Sequence, residues 1–246
     1  MFQLSVLLLL VVLVVYTKPR AWSYEERTGP EYWGKLAASN AVCAQGYEQS
    51  PINIVSSQVI EDKKIGGKQI TYMPTRFTLH NNGHTIQANA ITEKNRIVVE
   101  GKEYKLAQFH FHTPSEHQLN GQYYDLEIHF VHKDESGKLA VLGVMIQEGR
   151  ENETLEVIWN SLPKEASKKD VSEKYLIHLP ALLPQNQMSF HYDGSLTTPP
   201  CTEEVRWIVF EQPIEMSKEQ IKAFQQIYTN NHRPIQPLNE REIIKE

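Results

Sequence analysis

The strongest constraint on the fold is a series of alternating segments separated by turn residues. Residues 76–90, RFTLHNNGHTIQANA, alternate on either side of Asn81-Asn82-Gly83, which is a strong β-hairpin signal. Three further segments show related patterns: 95–112, which turns near Glu100-Gly101; 125–149, which turns at Asp134–Gly137; and the apolar strand 204–214. A chain with this pattern is expected to fold around a β-sheet.

Helical patterns are few. Residues 153–162 carry apolar side chains at helical spacing and end at Pro163. Ser217 with Gln220 three residues later forms a capping-box signature before a second apolar stripe. Such stripes are typical of core packing. The pattern predicts an α+β, β-dominated single domain with peripheral short helices.

Size and charge narrow the function classes. The chain has 246 residues, 40% of them hydrophobic, and no repeat or linker divides it. The formal charge is −5 and basic runs are absent, so we expect no nucleic acid partner.

The N-terminal segment differs from the rest. Residues 4–16, LSVLLLLVVLVVY, are too few to span a bilayer comfortably and are typical of a secretion signal. No Lys or Arg precedes them and no small-x-small cleavage site follows, which leaves an uncleaved anchor as the alternative. We expect a signal peptide over 1–21, a domain over 22–246, no stable membrane span, and a secreted, periplasmic or extracellular protein.

Cys43 and Cys201 are the two cysteines of the chain. In an exported protein such a pair suggests one disulfide, and the alternative is two buried free thiols. The sequon Asn152-Glu153-Thr154 matters only if the host glycosylates it.

A possible metal site begins in QFHFH, residues 108–112. Alternate residues of a strand share a face, so His110 and His112 point the same way as Gln108. Two imidazoles so placed can reach one ion, although histidine pairs in strands are more often structural.

LEIHFVH, residues 126–132, strengthens the metal hypothesis. If this strand lies beside the first, His129 supplies a third nitrogen, and three protein ligands leave zinc the open position of a catalytic site. Gln108 and Glu127 are candidates to accept the second N–H groups of these histidines. From spacing alone, Glu127 could equally be an exposed strand carboxylate.

Beyond these two strands, the sequence resembles an α-class carbonic anhydrase over nearly its whole length, from about Trp22 to Leu238. The motifs, in the order of the family, are QSPINI (49–54), NNGH (81–84), QFHFH (108–112), SEH (115–117), LEIHFVH (126–132), AVLG (140–143), SLTTPP (195–200), VRWIVF (205–210) and RPIQPL (233–238). Three residues separate His112 from Glu116, which resembles the compact bacterial branch.

The resemblance implies a central twisted, mostly antiparallel sheet with Zn²⁺ at the floor of a conical cavity. It implies the following roles: zinc ligands His110, His112 and His129; acceptors Gln108, Glu127 and the carbonyl of Asn231; catalytic residues Thr197, Glu116, Thr198, His84 and Tyr24; an apolar CO₂ pocket of Val131, Val141, Leu196 and Trp207; and a Cys43–Cys201 disulfide.

The implied reaction is the reversible hydration of CO₂ to bicarbonate and a proton. Zinc-bound hydroxide attacks carbon, Thr197 with Glu116 orients it, and His84 shuttles the proton. Strict alternation puts His84 and Gln87 on opposite faces, so placing both in the cavity requires an irregular strand. The alternatives are a non-catalytic carbonic-anhydrase-like binding module, another zinc hydrolase and, for assembly, a homodimer through exposed edge strands.

Overall fold

The computed structural model describes residues 21–61, 67–167, 171–172 and 176–246. The predicted signal peptide lies outside these residues except for Ala21, so its prediction stays a prediction. Among the described residues, no helix has the length and apolar character needed to cross a bilayer.

Short strands make up most of the fold. In chain order they are β1 (Asn53–Ile54), β2 (Ile60–Glu61), β3 (Gln69–Thr71), β4 (Phe77–Asn81), β5 (Ile86–Ala90), β6 (Arg96–Val99), β7 (Lys102–His112), β8 (Gln118–Leu119), β9 (Leu126–Lys133), β10 (Leu139–Glu148), β11 (Val171–Ser172), β12 (Ser189–Gly194), β13 (Val205–Phe210), β14 (Ile214–Met216) and β15 (Ile244–Lys245).

One large mixed sheet dominates the described part of the chain, with the order β11-β4-β5-β7-β9-β10-β13-β12-β15-β2 along its main path. β7 pairs antiparallel with β9, and β9 pairs antiparallel with β10. Parallel pairing occurs where β10 meets β13 and β14, and where β15 meets β2. The predicted β-dominated, mostly antiparallel fold is confirmed.

The three predicted hairpins are present. Asn81 pairs with Ile86 across the first turn, where Gly83 has a φ of 87°. Glu100 and Gly101 both have positive φ, 51° and 78°, as the two central residues of a type I′ turn require. The third hairpin turns through Gly137, between β9 and β10.

Four short α-helices lie outside the sheet in the described residues: α1 (Trp33–Leu36), α2 (Val42–Gln45), α3 (Glu153–Trp159) and α4 (Lys218–Gln225). Both predicted helices are present, but each ends before the last apolar residue of its predicted stripe, α3 at Trp159 and α4 at Gln225. The side chain of Asn152 caps α3, and Ser217 with Gln220 forms the predicted capping box of α4. Both helices pack on the sheet through buried apolar side chains, Leu155 in α3 and Phe224 in α4.

The sheet separates two apolar clusters. One contains Phe109 and Phe111 of β7, and the other contains Val131, Val141 and Trp207. Because successive strand residues face opposite sides, the apolar anchoring of Phe109 and Phe111 turns the intervening polar side chains of β7 toward the second side.

Cys43 and Cys201 form the predicted disulfide, with a sequence separation of 158 and a Cα–Cα distance of 5.0 Å. The bond packs against the buried Trp33. It ties α2 to the segment that follows residues 195–200.

Candidate metal centre

His110 and His129 are directly opposed on the adjacent antiparallel strands β7 and β9. Their ring centroids lie 5.3 Å apart, and the ring of His112 lies 4.9 Å from His110 and 4.6 Å from His129. One ring nitrogen from each of the three lies within 4.8 Å of the others. The structure therefore brings the three predicted ligands together.

Each of these imidazoles donates an N–H to an acceptor. Nδ1 of His110 lies 2.8 Å from Oε1 of Gln108, and Nδ1 of His112 lies 2.7 Å from the carbonyl of Asn231. Nε2 of His129 lies 2.8 Å from Oε1 of Glu127. These bonds fix the ring orientation and leave one nitrogen of each ring as the ligand atom.

The electrostatics suit a metal ion. Burial lowers the pKa of His110 to about 3, that of His112 well below its ordinary value, and that of His129 in the same direction. The rings are neutral, the form that metals bind. Within the described protein, Nε2 of His112 is buried without a hydrogen-bond partner. An orphaned nitrogen among three neutral imidazoles fits a zinc ion.

Glu127 accepts hydrogen bonds from other groups besides His129. Its Oε2 accepts the backbone N–H groups of Glu116 and His117 at 2.8 and 2.9 Å, and its Oε1 accepts Nδ1 of His117 at 2.8 Å. Burial opposes its ionisation, but His117 and His129 outweigh burial and hold the pKa of Glu127 well below its ordinary value. His117, Glu127 and His129 cluster closely enough to suggest a second metal site, but their facing atoms already bond one another.

Glu116 lies behind the histidines and is fully buried. Its Oε1 accepts the backbone N–H of Arg233 at 2.8 Å, and among the described residues its Oε2 has no hydrogen bond of regular geometry. Burial raises the pKa of this carboxyl well above its ordinary value, while the Thr197 side chain and the Arg233 N–H act against that rise. A divalent cation on the adjacent histidines would favour the ionised form further.

A cavity of about 140 Å³ opens above the histidines. Its lining residues are Trp22, Tyr24, Asn82, His84, Thr85, Gln87, Gln108, His110, His112, His129, Val131, Val141, Leu196, Thr197, Thr198 and Trp207. Of the predicted catalytic, ligand, acceptor and substrate-pocket residues, Glu116, Glu127 and Asn231 lie outside this lining, behind the groups that they contact.

The apolar side of the cavity comes from three adjacent strands. Val141 of β10 pairs with Val131 of β9 on one side and with Trp207 of β13 on the other. The indole N–H of Trp207 donates to the carbonyl of Ser195 at 2.9 Å, which ties this wall to the segment bearing Leu196. The wall gives a small apolar molecule a surface beside the histidines.

His84 and Gln87 both line the cavity, and the reason is local. His84 lies in the turn before β5, so strand alternation does not apply to it, whereas Gln87 lies in β5 opposite His110. The His84 ring stacks on Trp22 with centroids 3.6 Å apart and planes 11° from parallel. Burial lowers the pKa of His84.

Trp22, Asn82 and Thr85 are cavity residues that the sequence did not single out. Asn82 lies in the quoted NNGH motif, so its turn chemistry was the available signal. Its Oδ1 accepts the backbone N–H groups of His84 and Thr85, both at 2.9 Å. Trp22 carried no signal, because its contact with His84 joins distant parts of the chain.

Comparisons with known proteins agree with this geometry. The sequence model of the eukaryotic-type carbonic anhydrase family matches residues 28–246. A carbonic anhydrase of Nostoc is 40% identical over 91% of this chain and 85% of its own length, and one of Klebsiella pneumoniae is 39% identical over 98% and 97%. The α-carbonic anhydrase of Thermovibrio ammonificans, solved with the inhibitor sulfanilamide, is 42% identical, has a TM-score of 0.88, and is matched over 91% of this chain and 98% of its own.

The matched region contains the three clustered histidines, the hydrogen-bond acceptors and the apolar wall. The family is one of zinc enzymes, and the donor set found here suits zinc. On the family match and the coverage of these relatives, the chain belongs to the α-carbonic anhydrase family.

Proposed function

We propose that the chain catalyses the reversible hydration of CO₂ to bicarbonate and a proton, with zinc held by His110, His112 and His129. The observation that carries this proposal is the set of three neutral imidazoles, two buried and one half-buried, each oriented by its own acceptor, at the floor of a cavity with an apolar wall. Zinc, when bound there, supplies the Lewis acidity that makes a water molecule acidic near neutral pH.

The apolar wall holds the substrate. CO₂ has no net dipole and gains little from hydrogen bonding, so Val131, Val141 and Trp207 suit it better than polar groups would. Leu196 extends this wall from the neighbouring segment. Binding CO₂ beside the histidines places the reactants next to each other and so lowers the entropic cost of the reaction.

Thr197 and Glu116 orient the attack. When Glu116 is ionised it accepts the hydroxyl proton of Thr197, so the threonine oxygen acts as an acceptor. Only a nucleophile that still carries a proton can then donate to Thr197, and its lone pair is directed at carbon. Thr198, next along the cavity, contributes a second hydroxyl near the substrate.

His84 transfers the proton out. Each cycle of CO₂ hydration releases a proton, and the His84 imidazole in the cavity would take it up and pass it to buffer. Tyr24, half-buried in the same cavity, lies close to His84, because the ring of Trp22 contacts both side chains.

We also infer export from the cytoplasm, with 1–21 as the signal peptide. The disulfide supports an oxidising compartment. Mass spectrometry of the mature N-terminus tests the cleavage, and sedimentation analysis tests whether the protein is a homodimer.

The alternative is a non-catalytic binding module. Such a module has no need for three oriented ligands or for Thr197 with Glu116, and all of these are in place here. Stopped-flow CO₂ hydration, measured before and after chelation and after zinc is returned, decides the matter. Zinc at one per chain without hydration would reject the enzyme. His129→Ala should lose both zinc and activity, and retained activity would show that the ligand set is wrong.

A further inference from the structure

Asn231 lies between α4 and β15 and is fully buried. Its main chain and its side chain contact different parts of the site. Its main-chain carbonyl accepts from Nδ1 of His112 at 2.7 Å, and its main-chain N–H donates to the carbonyl of Thr113 at 3.0 Å. Its side-chain Oδ1 accepts the backbone N–H of Thr113 at 2.8 Å. Its side-chain Nδ2 donates to the carbonyls of His84 and Phe111, both at 3.0 Å.

The main-chain bonds of Asn231 hold the end of β7, where the ligand His112 and the following Thr113 lie. The amide Nδ2 donates both to the carbonyl of Phe111, in β7, and to the carbonyl of His84, in a different segment 147 residues away in sequence. One residue thus joins the metal ligand to the turn that carries the cavity histidine.

The His84 turn is held from two sides. Asn82 fixes it from within, through bonds to the N–H groups of His84 and Thr85. Asn231 holds the turn from a separate segment, because its Nδ2 donates to the His84 carbonyl. The Asn82 bonds set the shape of the turn. Two other bonds set its distance from the metal-binding strand: the Asn231 amide donates to the His84 carbonyl, and the Thr85 hydroxyl donates to the Phe111 carbonyl of β7 at 2.6 Å.

We propose that the side chain of Asn231 is a positioning group for proton transfer, which holds the His84 turn in register with the metal centre. This inference rests on the proposed shuttle role of His84. Proton relay through water requires donor and acceptor at a fixed spacing, so loosening the turn lowers the transfer rate. Metal binding stays intact, because the carbonyl that receives the His112 N–H belongs to the main chain.

Asn231→Asp tests the proposal, since it keeps the shape and the Oδ1 acceptor while removing the Nδ2 donor. Asn231→Ser removes the amide without adding a carboxylate. The matched control is Asn95→Asp, because Asn95 is equally buried and bonds Thr75 and the N–H of Met73, outside the cavity lining.

In dilute buffer we expect kcat of both Asn231 variants to fall on the order of fivefold, the effect of losing the hydrogen bond that holds the His84 carbonyl. kcat/KM, which reports the CO₂ step, should stay within about twofold. Imidazole buffer should restore kcat. The zinc dissociation rate should match that of the parent, and the NMR signals of the His84 ring should shift in both variants but not in Asn95→Asp.

Two results would overturn the inference: kcat unchanged in both Asn231 variants, or zinc release accelerated together with a loss of kcat/KM, which would place the effect at His112. His84→Ala separates this failure from that of the proposed function. If His84→Ala leaves kcat unchanged in dilute buffer, the shuttle role itself is rejected. If it lowers kcat and the Asn231 variants do not, only the role of Asn231 falls.

Discussion

Oε1 of Glu127 accepts the Nε2–H of His129 at 2.8 Å. The same carboxylate accepts the backbone N–H of Glu116 through its other oxygen, at 2.8 Å. A single buried anion thus orients a metal ligand and anchors the turn that bears the carboxyl near Thr197. Its position explains why a charged residue is kept at the centre of a sheet, where an unpaired carboxylate would be costly.

Glu127→Gln should weaken zinc binding by about 10–100-fold, the usual effect of losing an acceptor behind a ligating histidine. The amide is a weaker acceptor and its NH₂ group would face another N–H donor. Competition with a chromophoric chelator measures the affinity. Glu219→Gln, at an exposed position of α4, is the control and should bind as the parent does. Equal affinity in both variants would show that Glu127 does not support His129.

Val141→Phe should block the apolar wall. Val141 is 1% exposed and lies between Val131 and Trp207, so a larger side chain must enter the space beside the histidines. We expect kcat/KM for CO₂ to fall by about tenfold or more, in the range of steric discrimination by apolar pockets. Zinc content should stay at the parent level. Undiminished kcat/KM would place the substrate elsewhere.

Replacing both cysteines by serine should lower the free energy of unfolding by roughly 5 kcal/mol in the loop-entropy treatment of so long a closed loop. The reason is that the bond joins residues 158 apart and restricts the unfolded chain. Chemical denaturation of parent and double variant measures the difference, and the parent under reducing conditions should approach the variant. A difference near zero would contradict the prediction.

The buried His132 should make the free energy of unfolding depend on pH in the acid range. It is buried with Nε2 2.8 Å from the hydroxyl of Tyr72, and burial lowers its pKa to about 3. In the unfolded chain a histidine titrates near 6.5, so between about pH 6.5 and 3 the unfolded state binds a proton that the folded state refuses. Stability therefore falls as the pH falls through this window.

His132→Gln should remove this part of the acid sensitivity. From pH 7 to pH 5 the parent should lose about 2 kcal/mol more than the variant, at a limiting slope of about 1.4 kcal/mol per pH unit. Urea unfolding of the zinc-loaded proteins at both pH values gives the comparison. Parallel losses in the two proteins would show that His132 is not the titrating group.

Strand periodicity predicted only part of the centre of the site. His110, His112 and Gln108 share a face because alternation places them there, whereas the place of His129 depended on which strands pair, and the family resemblance supplied the full ligand set. Alternation failed at His84, which lies in the turn before β5, so its side-chain direction follows turn geometry instead. The family resemblance, and not the spacing, placed it in the cavity.

Contacts between distant segments could not be predicted. The guanidinium of Arg233 is buried and donates to the carbonyls of Cys43 and Ser50, although an arginine in a proline-rich segment suggests exposure. The amide of Asn231 likewise reaches His84 across most of the chain. Such bonds depend on how separate elements pack, and no local pattern encodes them.

The three ligands belong to β7 and β9 in the interior of the sheet, whereas the cavity mouth is formed by residues near Trp22, His84 and Thr198 from separate segments. Reactivity and access are therefore held by different parts of the chain. Insertions or replacements at the mouth can alter which molecules enter, or how fast protons leave, while the ion keeps its surroundings. The fold thus permits redesign of the entrance without rebuilding its reactive centre.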